Sequence, residues 1–434
     1  MIRPRFVIIA WAVCFATPVH AQTLLRLTLD EAIDRGLQTS HRLAELSAHH
    51  DASEAVERQR KSDSIPHSRV DAGYMRTNHI EVFRGFGGVV VWPDVPDNYH
   101  SRVDFEWPIF TGGRLSALER AAAAEANAVG QDVEAARADL KLEITRAYWA
   151  VITGRAAVDV VSQALSVSGS HLADVRNLLN VGLVPPSDVL TGEAQQSRQQ
   201  ELLISAQNAA ETSLLELRRL VGLSPDEPVE LVAPIQTPAV PSEPVAALVA
   251  SARANRPERK ALELRLTGFG DRLTAAQAGR LPTVVTIGGY DIARPNPKIF
   301  PREAAWKPSW DAGLNLTWSL FDGGRTRADI AEASANQRAA EERLKEFDTI
   351  INLEVRQRRL DLASAQASIQ AAEDGVRSAT EARRVLAERF SAGVATNTDI
   401  LDAQASLLQA ELERTRALAD AQLAAARLER ALGR

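Results

Sequence analysis

The chain has 434 residues and a net charge of −6; it is 45% hydrophobic but only 5% aromatic. That acidic balance excludes the basic surface a nucleic-acid partner requires, so none is expected. Alanine supplies much of the apolar content, which suits long, closely packed helices better than a bulky globular core.

Residues 1–21 read as an export signal rather than part of the fold. Arg3 and Arg5 precede an apolar run from Phe6 to Ala16, and Val19-His20-Ala21 supplies small residues for cleavage. The run is too short to cross a bilayer as a helix. Its Cys14 is the only cysteine, so the mature protein is expected to hold none. Residues 29–63 then read as one helix, with Thr28 as its cap and Asp30 and Glu31 in the first turn. His41, His49 and His50 fall on it, but His49 and His50 point about 100° apart on a helix and nothing nearby completes a ligand set.

Two alternating stretches follow, at 68–77 and 99–110. In the second, Tyr99, Val103, Phe105, Trp107 and Ile109 share one face and Arg102, Asp104 and Glu106 the other, the period of a strand. Gly112-Gly113 marks the turn where alternation stops. From there apolar residues recur every 3.6 positions between Leu115 and Val151, predicting a helix over 113–180 that is about 100 Å long. A helix of that length has to pack laterally in a coiled coil or helical barrel. It ends at the turn Val181-Gly182-Leu183, and Ser187 is suited to cap a returning helix over 187–221, with Asp188 at its positive end. Residues 224–244 are rich in proline and read as an extended linker.

The chain then begins again. Trp107-Pro-Ile-Phe-Thr-Gly-Gly-Arg114 returns as Trp318-Ser-Leu-Phe-Asp-Gly-Gly-Arg325, a shift of 211. The same shift carries Gly182 onto Gly393, Asp188 onto Asp399 and Glu143 onto Glu354. Residues 22–223 and 245–434 are therefore two copies of one unit. The second copy is expected to hold strands at 283–294 and 309–321, turn at Gly323-Gly324, and continue as helices over 324–390 and 397–432. Ala392, Gly393 and Val394 form its turn and Thr398 its cap. The expected fold class is α+β: a long antiparallel helical coiled coil plus four strands, and no further β structure.

Tyr74, Tyr99, Trp107, Tyr290, Trp310 and Trp318 lie near strand ends on the apolar faces, as an aromatic girdle does at a membrane interface. Outer membrane lipid is the expected neighbour. Four strands cannot close a barrel, so several chains must contribute. There is no HExxH, Walker loop, GxSxG or cysteine pair. No catalytic, cofactor or metal site is expected, and Gly268-Phe-Gly270 is an isolated motif without support. One acidic constellation stands out: Asp399 and Asp402, spaced to lie on one helix face just past the turn.

Together the duplicated strand-end and Gly-Gly motif, the Val-Gly-Leu turn at 181–190 and its copy ending Asp399-Ile-Leu-Asp402 resemble the outer membrane efflux protein family, the TolC-like channel-tunnels. The resemblance implies a homotrimer whose twelve strands form one outer-membrane barrel, continued by a helical barrel in the periplasm. It implies a passive conduit for efflux or type I secretion, not an enzyme. The turn tips at Val181, Gly182, Leu183, Ala392, Gly393 and Val394 would meet a periplasmic adaptor coupled to an inner-membrane pump. Asp399 and Asp402 would ring the periplasmic entrance. Two positions depart from the family: Phe390 and Ala395 stand where a tyrosine and an arginine tie the entrance shut, so a looser or differently latched seam is expected. The alternative reading is a secreted coiled-coil scaffold or adaptor with a small soluble sheet.

Overall fold

A computed structural model describes residues 25–232 and 238–434. The expected export segment with Cys14 lies outside the described residues, as do residues 233–237 of the linker.

The elements run in chain order as β1 (Leu25–Leu27), α1 (Leu29–Thr39), α2 (His41–Ser62), β2 (His67–Arg76), β3 (Phe83–Arg84), β4 (Val90–Trp92), β5 (Asp97–Phe110), α3 (Arg114–Asn180) and α4 (Pro186–Leu220). They continue as β6 (Val229–Leu231), α5 (Val245–Asn255), α6 (Pro257–Gln277), β7 (Thr283–Arg294), β8 (Lys307–Thr317), α7 (Arg325–Ser391) and α8 (Asn397–Ala431). The duplication is visible in the lengths: α3 and α7 have 67 residues each, and α4 and α8 have 35 each.

Several elements differ from the sequence reading. The first helix breaks in two at Ser40, whose hydroxyl accepts from Leu43 N and so caps α2. Thr28 caps α1 as expected, in a reciprocal box with Glu31. Four strands are not the whole β content: β1 pairs in parallel with β6, and β3 pairs antiparallel with β4. The last long strand ends at Thr317 rather than Phe321, because its partner β7 begins at Thr283 and leaves nothing beyond to pair with. Trp318 thus lies past the strand.

The chain divides into two units. One comprises residues 40–143, 237–371 and 420–434. Its four-stranded antiparallel sheet has the order β2-β5-β7-β8, so β2 and β8 are edges. Its core gathers Leu248 and Val249 of α5, Ile351, Val355 and Leu362 of α7, and Leu428 and Leu432 at the end of the chain. On α3, Ala117, Ala121, Ala124 and Ala128 are buried. A Cβ on Gly268 would sit 3.4 Å from Ala124 Cβ and Ala121 O, so the isolated glycine motif in α6 serves close helix packing.

The other unit comprises residues 25–39, 144–232 and 372–419. Its core is centred on Tyr148, which is fully buried with its hydroxyl 3.1 Å from Leu27 O and 3.0 Å from Val232 O. A buried phenol without such an acceptor would be costly. Beside it Ile144 fills the space over Gly36, where a Cβ would lie 2.4 Å from its Cδ1.

Candidate functional site

Cross-strand partners share a face, and the register sorts the sheet cleanly. Val70 pairs with Val103, Val103 with Tyr290, and Tyr290 with Trp310. Phe105, Trp107, Ile109, Leu314 and Leu316 join them, and every one of these side chains is exposed in the chain by itself. The opposite face carries Asp71, His100, Arg102, Asp104, Glu106, Asp291 and Asp311, again by register. A sheet that exposes a continuous apolar face and a charged reverse face matches a barrel wall between lipid and water.

The interface aromatics are spread along the strands, with Tyr290 and Trp310 level with Val103, midway between Tyr99 and Trp107. Tyr74 stacks on Tyr99 with centroids 5.0 Å apart and donates to Asp97 at 2.8 Å. Trp107 lies eight residues along β5 from Tyr99, about 26 Å at 3.3 Å per residue, close to the height of a barrel's apolar band. Trp318, although outside β8, is anchored by its indole N–H to Arg280 O at 3.2 Å.

Between each sheet hairpin and its long helix stand the paired glycines. Gly112, Gly113, Gly323 and Gly324 have φ of 63°, 83°, 67° and 90°, a region that side chains with a Cβ disfavour. Asp322 reinforces the second turn by accepting from Gly324 N and Thr326 N, which hold its carboxyl below the usual range together with the Thr326 hydroxyl.

The two helix-turn tips lie together within one unit. Gly182 and Gly393 take φ of 77° and 74° to reverse the chain. Around them Val181, Leu183, Ala392 and Val394 are exposed, an apolar patch at the end of each hairpin. Leu172, Val175 and Val189 form a small core beneath, with Phe390 packed against it.

The caps differ from those expected. Thr396, not Thr398, caps α8: its hydroxyl accepts from Asp399 N at 3.2 Å, and Asp399 Oδ2 accepts from Thr396 N and Oγ1 at 2.8 and 2.7 Å. This box holds the Asp399 carboxyl below its ordinary value, through the Thr396 backbone N–H first and its hydroxyl second. The first copy has no such box, because Pro185 occupies the cap position and offers neither N–H nor hydroxyl, so Ser187 is not the cap either. Asp402 is exposed one turn further along α8, without a side-chain partner among the described residues.

The seam between the two tips is latched by residues the sequence reading passed over. Asn397, 4% exposed, donates from Nδ2 to Asp188 O at 3.1 Å, and its Oδ1 lies 2.8 Å from His171 Nε2. With the amide donor committed to a carbonyl, Oδ1 must accept, so His171 carries its proton on Nε2. Phe390 closes the arrangement with its ring edge-on to His171 at 5.4 Å. At this seam, where Phe390 and Ala395 stand, an amide relay joins α3, α4 and α8. No spacing relates positions 171, 188 and 397.

Comparison with known proteins follows this geometry. The chain is 28% identical over 418 residues to Protein CyaE of Bordetella pertussis, covering 94% of this chain and 86% of that protein. It is 22% identical to the outer membrane protein TolC of Vibrio cholerae, covering 93% and 90%. Among solved structures, the outer membrane protein VceC of Vibrio cholerae superimposes with a TM-score of 0.79 at 22% identity, covering 93% and 96%. The sequence matches the outer membrane efflux protein family over residues 32–223 and again over 248–434. Matched along both copies of its strand-and-helix unit, this outer-membrane chain belongs to the outer membrane efflux protein family.

Proposed function

We propose that three copies of this chain close one twelve-stranded barrel across the outer membrane and form a passive conduit for efflux or type I secretion. The helices continue the conduit into the periplasm, where a periplasmic adaptor couples it to an inner-membrane pump. The observation that carries this reading is the sheet itself. It has an apolar face, a charged face and two edges, β2 and β8, that lack partners among the described residues. In a bilayer an unpaired edge costs several kcal/mol for each unsatisfied backbone group, so only closure by further strands satisfies it. Four strands are too few, whereas three copies supply enough.

The exposed tips at Val181, Gly182, Leu183 and Ala392, Gly393, Val394 are the surface for the adaptor. Asp399 and Asp402, repeated around the assembly, form acidic rings at the periplasmic entrance. The capping box keeps Asp399 ionised and fixed in orientation, while Asp402 stays free to meet a passing cation. The test is single-channel conductance of the purified protein in a planar bilayer, beside the Asp399→Ala/Asp402→Ala double variant. Steady cation-selective openings that lose selectivity in the variant are expected. Correctly folded protein that needs no detergent and never conducts would overturn the reading.

A further inference from the structure

We infer that the loop between β7 and β8, residues 295–306, is a lid latched over the charged face of the sheet by Lys298, at the end of the sheet remote from the glycine turns. The inference rests on the conduit reading above, in which the charged face lines the lumen.

Adjacent antiparallel strands need only two residues to connect. This loop is far longer, and its surplus folds back onto the sheet. Lys298 Nζ lies 2.8 Å from Asp291 Oδ2 and also bonds Asp311, two carboxylates of the charged face on neighbouring strands. Arg102 reaches the same pair from β5, at 3.0 Å to Asp291 and 2.9 Å to Asp311. It does so by lying flat across Gly289, where a Cβ would come within 2.2 Å of Nη2. Asn296 sets the aim of the lysine: 2% exposed, it donates to Lys307 O at 2.8 Å and to Ser309 Oγ at 3.0 Å, and its Oδ1 accepts from Lys298 N at 2.9 Å.

The second loop of the same end joins the lid. Arg302 N donates to Val91 O at 3.3 Å, and the Arg302 guanidinium stands 4.0 Å over the Trp92 ring. On the apolar side of the same end, Trp306 meets Tyr99 with ring centroids 5.8 Å apart. Beneath the two loops is a cavity of about 750 Å³ reaching His100 and Arg102 on the sheet. Apolar burial does not hold the lid, since Phe300 at its tip is 71% exposed. The Lys298 and Asp311 side chains are 40% and 43% exposed, and ion pairs so open to water are weakened by salt. The latch at Lys298 is thus polar and partly open to water, strong enough to bias the loop and weak enough to release it.

The test combines conductance with thiol labelling in the assembled protein. Ala293→Cys places a reporter under the lid, since Ala293 lines that cavity and is 3% exposed, and labelling with a membrane-impermeant maleimide reads its exposure. Lys298→Met is expected to raise the open-to-closed ratio by about five-fold, the size of one partly exposed ion pair. Labelling then accelerates, low-salt conductance rises, Lys298→Arg restores the wild-type rate, and wild type approaches the variant as salt is raised. Unchanged labelling and unchanged conductance in Lys298→Met would overturn the lid. Faster labelling in a protein that never conducts supports the lid and rejects the conduit reading instead.

Discussion

Asn397 occupies the first turn of α8, where a side-chain amide ordinarily faces water. Here it is buried, and both of its polar atoms are used across the seam. Asn397→Ala removes a donor and an acceptor at once and leaves the His171 ring N–H without its partner, while the Asp188 carbonyl keeps its place in α4. One part-buried hydrogen bond of this kind contributes about 0.5–1.5 kcal/mol. Hydrogen exchange in residues 171–190 and 390–400 should accelerate in this variant while the sheet stays protected. Equal acceleration everywhere would mean that the amide holds the whole chain rather than the seam. At this scale the sequence was only partly legible. The paired glycines and the two tip aspartates announce themselves by recurring at one shift. The asparagine does not, since its counterpart at that shift is Pro186, and contacts between residues more than two hundred positions apart leave no local pattern. The duplication even misleads over capping: Asp188 and Asp399 correspond, yet only Asp399 has a threonine three residues before it.

Among the elements, the chain's last helix is fastened by charge as well as by apolar packing. Arg430 of α8 pairs with Glu258 in the first turn of α6 and with Asp139 of α3 at 2.8 Å; Arg256 pairs with Glu354 of α7 at 2.5 Å and approaches Glu258 at 3.5 Å. Burial pushes the Glu258 carboxyl up, but Arg430 and Arg256 outweigh it and hold the group below its ordinary value. Glu258→Ala removes the carboxylate shared by two arginines that are 8% and 11% exposed, each of which keeps one other carboxylate, Glu354 and Asp139. A loss of about 1.5–3 kcal/mol is expected, that of a hydrogen bond to a charged group. Denaturant unfolding measures it, and Glu258→Gln, which keeps the shape and a hydrogen bond, should lose less. A Glu258→Ala variant as stable as wild type would show that water reaches these arginines freely. Element identity was legible wherever a period ran for ten residues or more, as in the long helices and the four sheet strands. It failed where a partner decided the outcome. The end of β8 at Thr317 is set by the start of β7, and the break at Ser40 by a single side-chain cap inside an otherwise helical pattern.

For the molecule as a whole, the two faces of the sheet make opposite demands, and neighbouring residues test them. Leu314 points to the apolar face, paired with Thr286, whereas Asn315 points to the charged face, paired with Val285. Leu314 is 71% exposed in the chain alone and lies four residues from each of Trp310 and Trp318. Lipid is its surrounding in the proposed barrel, where an arginine costs up to about 2–4 kcal/mol, the more the nearer the midplane. Asn315 would face water, where the same substitution is cheap but adds a positive charge to the lumen. Leu314→Arg should therefore reduce the amount of folded, heat-modifiable oligomer recovered from outer membranes. Asn315→Arg should assemble normally and shift conductance away from cations. The comparison keeps charge, size and strand constant and changes only the face. Equal damage by both substitutions would mean that protein covers both faces, as in a small soluble sheet, and equal tolerance would mean that neither meets lipid. Only a barrel wall separates them in the expected direction, because only there does one residue step along the strand exchange hydrocarbon for water.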